Sequence, residues 1–120
     1  MNNKTTYYAY PGIPFSPTQI VSDITGIPTN TIYARTRKRE IVKARKIVIL
    51  TKHLAGNKIC HIAKEFKVNH ATIIHSLRTL KEELQTTEPT RLMVAKAINR
   101  LQLVDEYNQY LQKIKKEFWI

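Results

Sequence analysis

"ICHIAKEFKVNHATIIHSL", residues 59–77, is the stretch whose spacing decides how this chain is read. Ile62 and Phe66 lie four residues apart, Ile73 and Leu77 do the same, and Val68 stands between the two pairs. Ala63 is small where two helices built on those pairs must approach closely, and the link between them is three or four residues. That is the pattern of a helix-turn-helix. In such a unit the second helix lies in the major groove of DNA and its first residues reach base edges. Asn69, His70, Ala71 and Thr72 hold those first positions, and Asn69 is also the expected N-cap. Lys67 takes the turn position where glycine is common, so it must accept a positive φ or bend the turn differently.

The flanking sequence reads as helix on both sides. In "FSPTQIVSDITGIP" Ser16 is an N-cap, Pro17 a first helical residue and Gln19 the partner of a capping box, with Gly26 and Pro28 as the stop. "PTNTIYAR" supports a short turn of helix at best. "REIVKARKIVILTKHLAG" places Ile41, Ala44, Ile47 or Val48, and Leu50 or Thr51 at helical spacing, ending at Gly56. Its apolar face is expected to be buried and its basic face free. Asn57 is positioned to cap the helix containing Ile62. After Asn69, Ile73, Leu77, Leu80 and Leu84 make one face of a helix over about 70–84.

Beyond the breaker at Pro89, one long helix is expected from about Thr90 to Trp119, with Ala97, Leu101, Val104, Leu111, Ile114 and Phe118 as its stripe. No strand is expected. The fold class is all-α: a helix-turn-helix domain with a long basic helix before it and a long C-terminal helix after it. The divisions are an N-terminal arm (1–14), the DNA-binding domain (15–86) and the C-terminal helix (90–120). Tyr7, Tyr8, Tyr10 and Phe15 are expected to cover an edge of the core, and Trp119 to dock the far end.

Charge supplies the second argument. The 120 residues carry a formal charge of +11. Arg35, Arg37, Lys38, Arg39, Lys43, Arg45, Lys46 and Lys52 stand against Glu40 alone, so 35–52 contributes +7 of that charge. Such a cluster repels itself, and phosphates relieve the repulsion while releasing condensed counterions. A polyanion is therefore the expected partner, nucleic acid before anionic membrane.

Several stretches together resemble the C-terminal DNA-binding domain of the bacterial replication initiator DnaA, a Trp-repressor-like helix-turn-helix. "VNHATIIHSL" is similar to that family's Arg-Asp-His-Thr-Thr-Val-Leu-His-Ala signature, "REIVKARKIVIL" to its basic helix and "TRKR" to its basic loop. The resemblance runs from about Phe15 to Leu84. It implies that Asn69, His70 and Ala71 read bases and that Arg37 enters the minor groove. It further implies backbone contacts from Arg35, Lys38, Arg39, Lys43, Arg45, Lys58, Thr72 and His75. The chain departs from the pattern at several points. The loop before His70 is one residue shorter, Thr51 replaces a leucine, and Ala44 stands where proline is common. Ala71 keeps a methyl group but no hydroxyl, and Asn69 replaces an acceptor suited to cytosine with an amide suited to adenine. The preferred DNA sequence is therefore expected to differ from the initiator's own.

Other classes fit less well. Nothing here matches G-x-x-x-x-G-K-[ST], so no nucleotide and no ATPase motor is expected, and the reading is a stand-alone DNA-binding domain. With one cysteine, Cys60, and histidines at poor spacing, neither a disulfide nor a metal is expected. The carboxylates are scattered and no nucleophile has a base beside it, which argues against an enzyme. No cofactor is expected. The sequence shows no signal peptide and no apolar run long enough to span a bilayer, so a cytoplasmic, nucleoid-associated protein is expected, with double-stranded DNA as its partner and replication or transcription as its setting. Two alternatives stand. One is an RNA-binding module, although 35–52 lacks the aromatics that stack on bases. The other is an adaptor acting through the C-terminal helix, whose stripe could fold back on the domain or pair with a second copy as a homodimer.

Overall fold

The computed structural model of the chain describes residues 7–10 and 13–118, with side chains described for 16–114. A short antiparallel hairpin, β1 (Tyr7–Tyr10) and β2 (Ile13–Phe15), comes first. This strand pair departs from the expectation of no strand. The side chains of Tyr7, Tyr8, Tyr10 and Phe15, expected on the core edge, lie outside the described residues, as does Trp119.

Among the described residues seven helices follow: α1 (Pro17–Thr25), α2 (Thr29–Ile32), α3 (Arg39–Leu54), α4 (Ile59–Phe66), α5 (His70–Thr86), α6 (Glu88–Arg100) and α7 (Val104–Phe118). Helix α1 begins and ends as its sequence dictates. The Ser16 hydroxyl accepts the Gln19 N–H at 3.2 Å, and Gly26 takes the left-handed conformation at φ 77°. Asn57 does not cap α4. Its amide donates to the Lys52 carbonyl at 2.9 Å, closing the end of α3, while Lys58 precedes α4 without a side-chain cap.

Helix α3 runs through the middle of the molecule, with α1, α4, α5 and α6 packed around it. Ile47, Val48, Ile49, Leu50 and Thr51 are all buried, so its second half is covered on every side rather than on one face. The Thr51 hydroxyl, in a leucine's place, donates to the Val48 carbonyl at 2.8 Å and so enters the core satisfied. The basic residues are thereby confined to the first half of α3, the loop before it and its far edge.

The expected C-terminal helix is two helices. Leu101 ends α6, Gln102 sits at φ 56°, and Leu103 N–H returns to the Ile98 carbonyl at 3.0 Å. Asp105 and Glu106 then form an acidic first turn for α7, which favours a fresh helix start. The break shifts the stripe: Leu103 and Tyr107 are buried, and Val104 is exposed. Ala97, Leu101 and Ile114 are also buried and Leu111 partly so, which covers most of the stripe within the chain itself. Among the described residues no helix is long and apolar enough to cross a membrane.

Candidate nucleic-acid interface

The turn between α4 and α5 sets the geometry of the site. Lys67 takes left-handed backbone at φ 57° and ψ 45°, and Val68 N–H reaches back to the Ala63 carbonyl at 3.0 Å. This bond joins the sixth residue to the first across the helix end and stops α4 sharply. Ile62, Ala63, Phe66 and Ile73 are buried in the angle between the helices, as their spacing predicts, while Val68 stays partly exposed.

Asn69 then opens α5 by accepting the Thr72 N–H through Oδ1 at 3.0 Å. The Thr72 hydroxyl donates to the same oxygen at 3.2 Å. Asn69, His70, Ala71, Thr72 and His75 are all exposed, so the base-reading candidates emerge together from one helix end. The Thr72 proton is spent on Asn69. A phosphate contact from Thr72 requires that hydroxyl to turn outward.

The basic loop is held by a different set of bonds. Tyr33, just after α2, tilts its ring against Phe66 at a centroid distance of 4.8 Å. Its hydroxyl donates to Glu65 and takes a hydrogen bond from Thr18 at 2.8 Å. Burial, and then the bond to Glu65, push the Tyr33 pKa up to about 12. Lys52 pairs with the same carboxylate at 3.0 Å. This node ties the start of the loop to the first helix of the motif.

Arg45 secures the rest. Its Nε donates to the Ile32 carbonyl at 2.9 Å, and one terminal nitrogen reaches the carbonyls of Ala34 and, at 3.4 Å, Thr36. Partial burial lowers its pKa from the ordinary arginine value. Arg45, expected to support contacts to the DNA backbone, is half-buried and spends these donors on the loop that carries Arg35 and Arg37, which it thereby shapes. A planar fork with several fixed donors suits that task better than an ammonium.

The cation cluster therefore divides. Arg45, Lys46 and Lys52 are engaged within the chain, Lys46 with Glu83 at 3.1 Å. Arg35, Arg37, Lys38, Arg39 and Lys43 have no ion-pair partner among the described residues. A cleft of about 310 Å³ joins loop and helix, bringing Arg35 and Arg45 together with Thr72, His75 and Ser76. A second groove, about 510 Å³, holds Arg37, Arg39, Lys43 and Lys46, with Glu83 as its single acid. Lys58 is exposed at the start of α4, apart from both concavities. Ser76 and Lys46 were missed by sequence reasoning. Ser76 was detectable one turn beyond Thr72, whereas Lys46 looked like any other cation.

The family described as "Bacterial dnaA protein helix-turn-helix" matches residues 18–80, just over half the chain. This chain belongs to the bacterial DnaA helix-turn-helix family. The match covers α1 through most of α5 and stops short of α6 and α7. The chromosomal replication initiator proteins DnaA of Campylobacter curvus and Campylobacter concisus are each 31% identical to it over 85 residues. Those 85 residues are 69% of this chain and 20% of each initiator, so the chain spans about a fifth of the relatives it matches. Within the DnaA frame, the buried Ile62, Phe66 and Ile73 and the exposed residues 69–72 occupy the core and outer positions that a helix-turn-helix requires.

Proposed function

We propose that this protein binds duplex DNA in a sequence-specific manner, with the N-terminus of α5 in the major groove and the 35–39 loop against the minor groove. DNA binding in general follows from membership of the DnaA helix-turn-helix family. Base reading rests on one observation: four successive small or polar residues, Asn69 to Thr72, stand exposed at the N-terminus of α5, and Thr72 joins Arg35 in one cleft. The helix end supplies direct readout, and the outward cations supply phosphate attraction that carries no sequence information. Arg37 is the residue for the minor groove. Arg35, Lys38, Arg39, Lys43, Lys58 and His75 contact the strands, and Arg45 acts through the loop. Control of replication or transcription is the process such binding serves.

Selection from a random duplex library, followed by affinity titration at two salt concentrations, tests this reading. An enriched sequence bound at least about 1,000-fold more tightly than random duplex is the expected result. Equal affinity for every sequence excludes base reading. Preference for single-stranded RNA over duplex points to the RNA-binding alternative instead.

A further inference from the structure

The cap that starts α5 also determines which edge of Asn69 is left for a ligand. A backbone N–H can be met only by an oxygen, so the bond from Thr72 fixes the orientation of the Asn69 amide. That oxygen has two lone pairs, and the Thr72 N–H and hydroxyl take both. Nδ2, on the other branch, has no partner among the described residues, and the side chain is exposed. A bidentate adenine contact needs a donor and a free acceptor from one amide. Here the acceptor is already in use. This revises the expectation that asparagine at this position suits adenine.

We propose that Asn69 is a donor-only specificity residue, resting on the base-reading function above. Its Nδ2 hydrogen-bonds to an acceptor in the major groove: guanine O6 or N7, thymine O4 or adenine N7. A base that presents an amino group at that point, as cytosine does, meets a donor with a donor and is rejected. Thr72 is the positioning residue for this contact, since its two bonds hold Oδ1 toward the helix.

Random-duplex selection with the wild type, Asn69→Asp and Asn69→Ser tests the proposal, with thermal melts alongside. Aspartate and serine both cap helices as well as asparagine does, so all three proteins fold alike. Asn69→Asp changes the preferred base at one position from an acceptor edge to cytosine, an exchange of about tenfold in relative affinity, as expected for one such contact. Asn69→Ser loses the preference at that position and keeps the others. If the selected base is adenine, a duplex carrying purine without the 6-amino group binds the wild type equally well. A tenfold loss there reveals a bidentate contact and overturns the proposal. So does an Asn69→Asp variant that selects the wild-type base at every position, or an Asn69→Ser variant that retains the preference. A wild type that enriches no sequence brings down base reading as a whole, whereas identical enriched sites in wild type and Asn69→Asp bring down this inference alone.

Discussion

Lys67 and Gln102 hold left-handed backbone, at φ 57° and 56°, where a side chain costs about 1–2 kcal/mol relative to glycine. Each is followed by an apolar residue whose N–H closes back onto the helix just ended: Val68 onto Ala63, and Leu103 onto Ile98. Closing bonds and packing hold both turns without glycine. Lys67→Gly is therefore expected to raise stability by about 1 kcal/mol, offset in part by glycine's greater freedom in the unfolded chain. Thermal melting measures it, and an unchanged or lower Tm contradicts the strain argument. The His70 side chain, exposed two residues beyond Val68, makes no hydrogen bond or ion pair among the described residues. His70→Ala should leave Tm unchanged. Its discrimination between a selected duplex and a random one falls about tenfold, the scale of one lost base contact. Anisotropy titrations against both duplexes give that ratio, and an unaltered ratio removes His70 from the reading set.

Between residues and whole molecule, the loop from Tyr33 to Lys38 and the helix behind it act as one element. Arg45 spans the carbonyls of Ile32, Ala34 and Thr36, so truncating it leaves three acceptors to find new partners. Arg45→Ala is expected to lower stability by about 1–3 kcal/mol. Because the freed loop must then be ordered on binding, affinity should also weaken several-fold for selected and random duplex alike. Arg45→Lys should recover little of either, since one ammonium cannot span three carbonyls. A lysine variant with wild-type affinity and Tm rules out the scaffold role. The same element shows what sequence could and could not reveal. The cap at Asn69 and the stop at Gly26 were legible because each depends on neighbours within four residues, whereas at Lys67 the sequence left open a positive φ or a different bend, and the structure shows the first. Arg45's hold on the loop was not legible, because charge counting treats all cations alike and its partners are backbone atoms 9 to 13 residues away. The break at Gln102 was hidden by apolar spacing that continues through it. Its only trace was the acidic pair, Asp105 and Glu106, at the start of the next helix.

For the whole molecule, the charge that dominates the sequence is sorted by the fold. Arg45, Lys46 and Lys52 work internally, Arg35, Arg37, Lys38 and Arg39 are exposed, and half-buried Lys43 has no ion-pair partner among the described residues. With about five to seven phosphates neutralised, log affinity should fall against log salt with a slope of about −5 to −6. Arg35→Ala should reduce that slope by about one, and a slope unaffected by the change places Arg35 outside the contact. Stability carries its own ionic signature. Burial, and then the charge of Lys113, hold the His53 pKa below its ordinary 6.5, and its buried Nδ1 has no hydrogen-bond partner among the described residues. The unfolded chain takes up a proton there as pH falls through about 6.5, while the folded chain resists. The stability gained from the neutral form is thus present above that pH and lost progressively below it, until the lower folded pKa is passed. Melting temperatures from pH 7.5 to 5 should show the loss, with a shallower slope in His53→Gln; identical slopes exclude His53 as the source.

The central claim is that one face, formed by the start of α5 and the loop ahead of α3, meets duplex DNA. Titrating the isotope-labelled protein with a selected duplex and following its amide signals by NMR tests this most directly. The largest shifts are predicted at residues 34–39, 58–60 and 69–76, with α6 and α7 nearly silent. Shifts centred on α6 and α7, with residues 69–76 unmoved, would contradict the account.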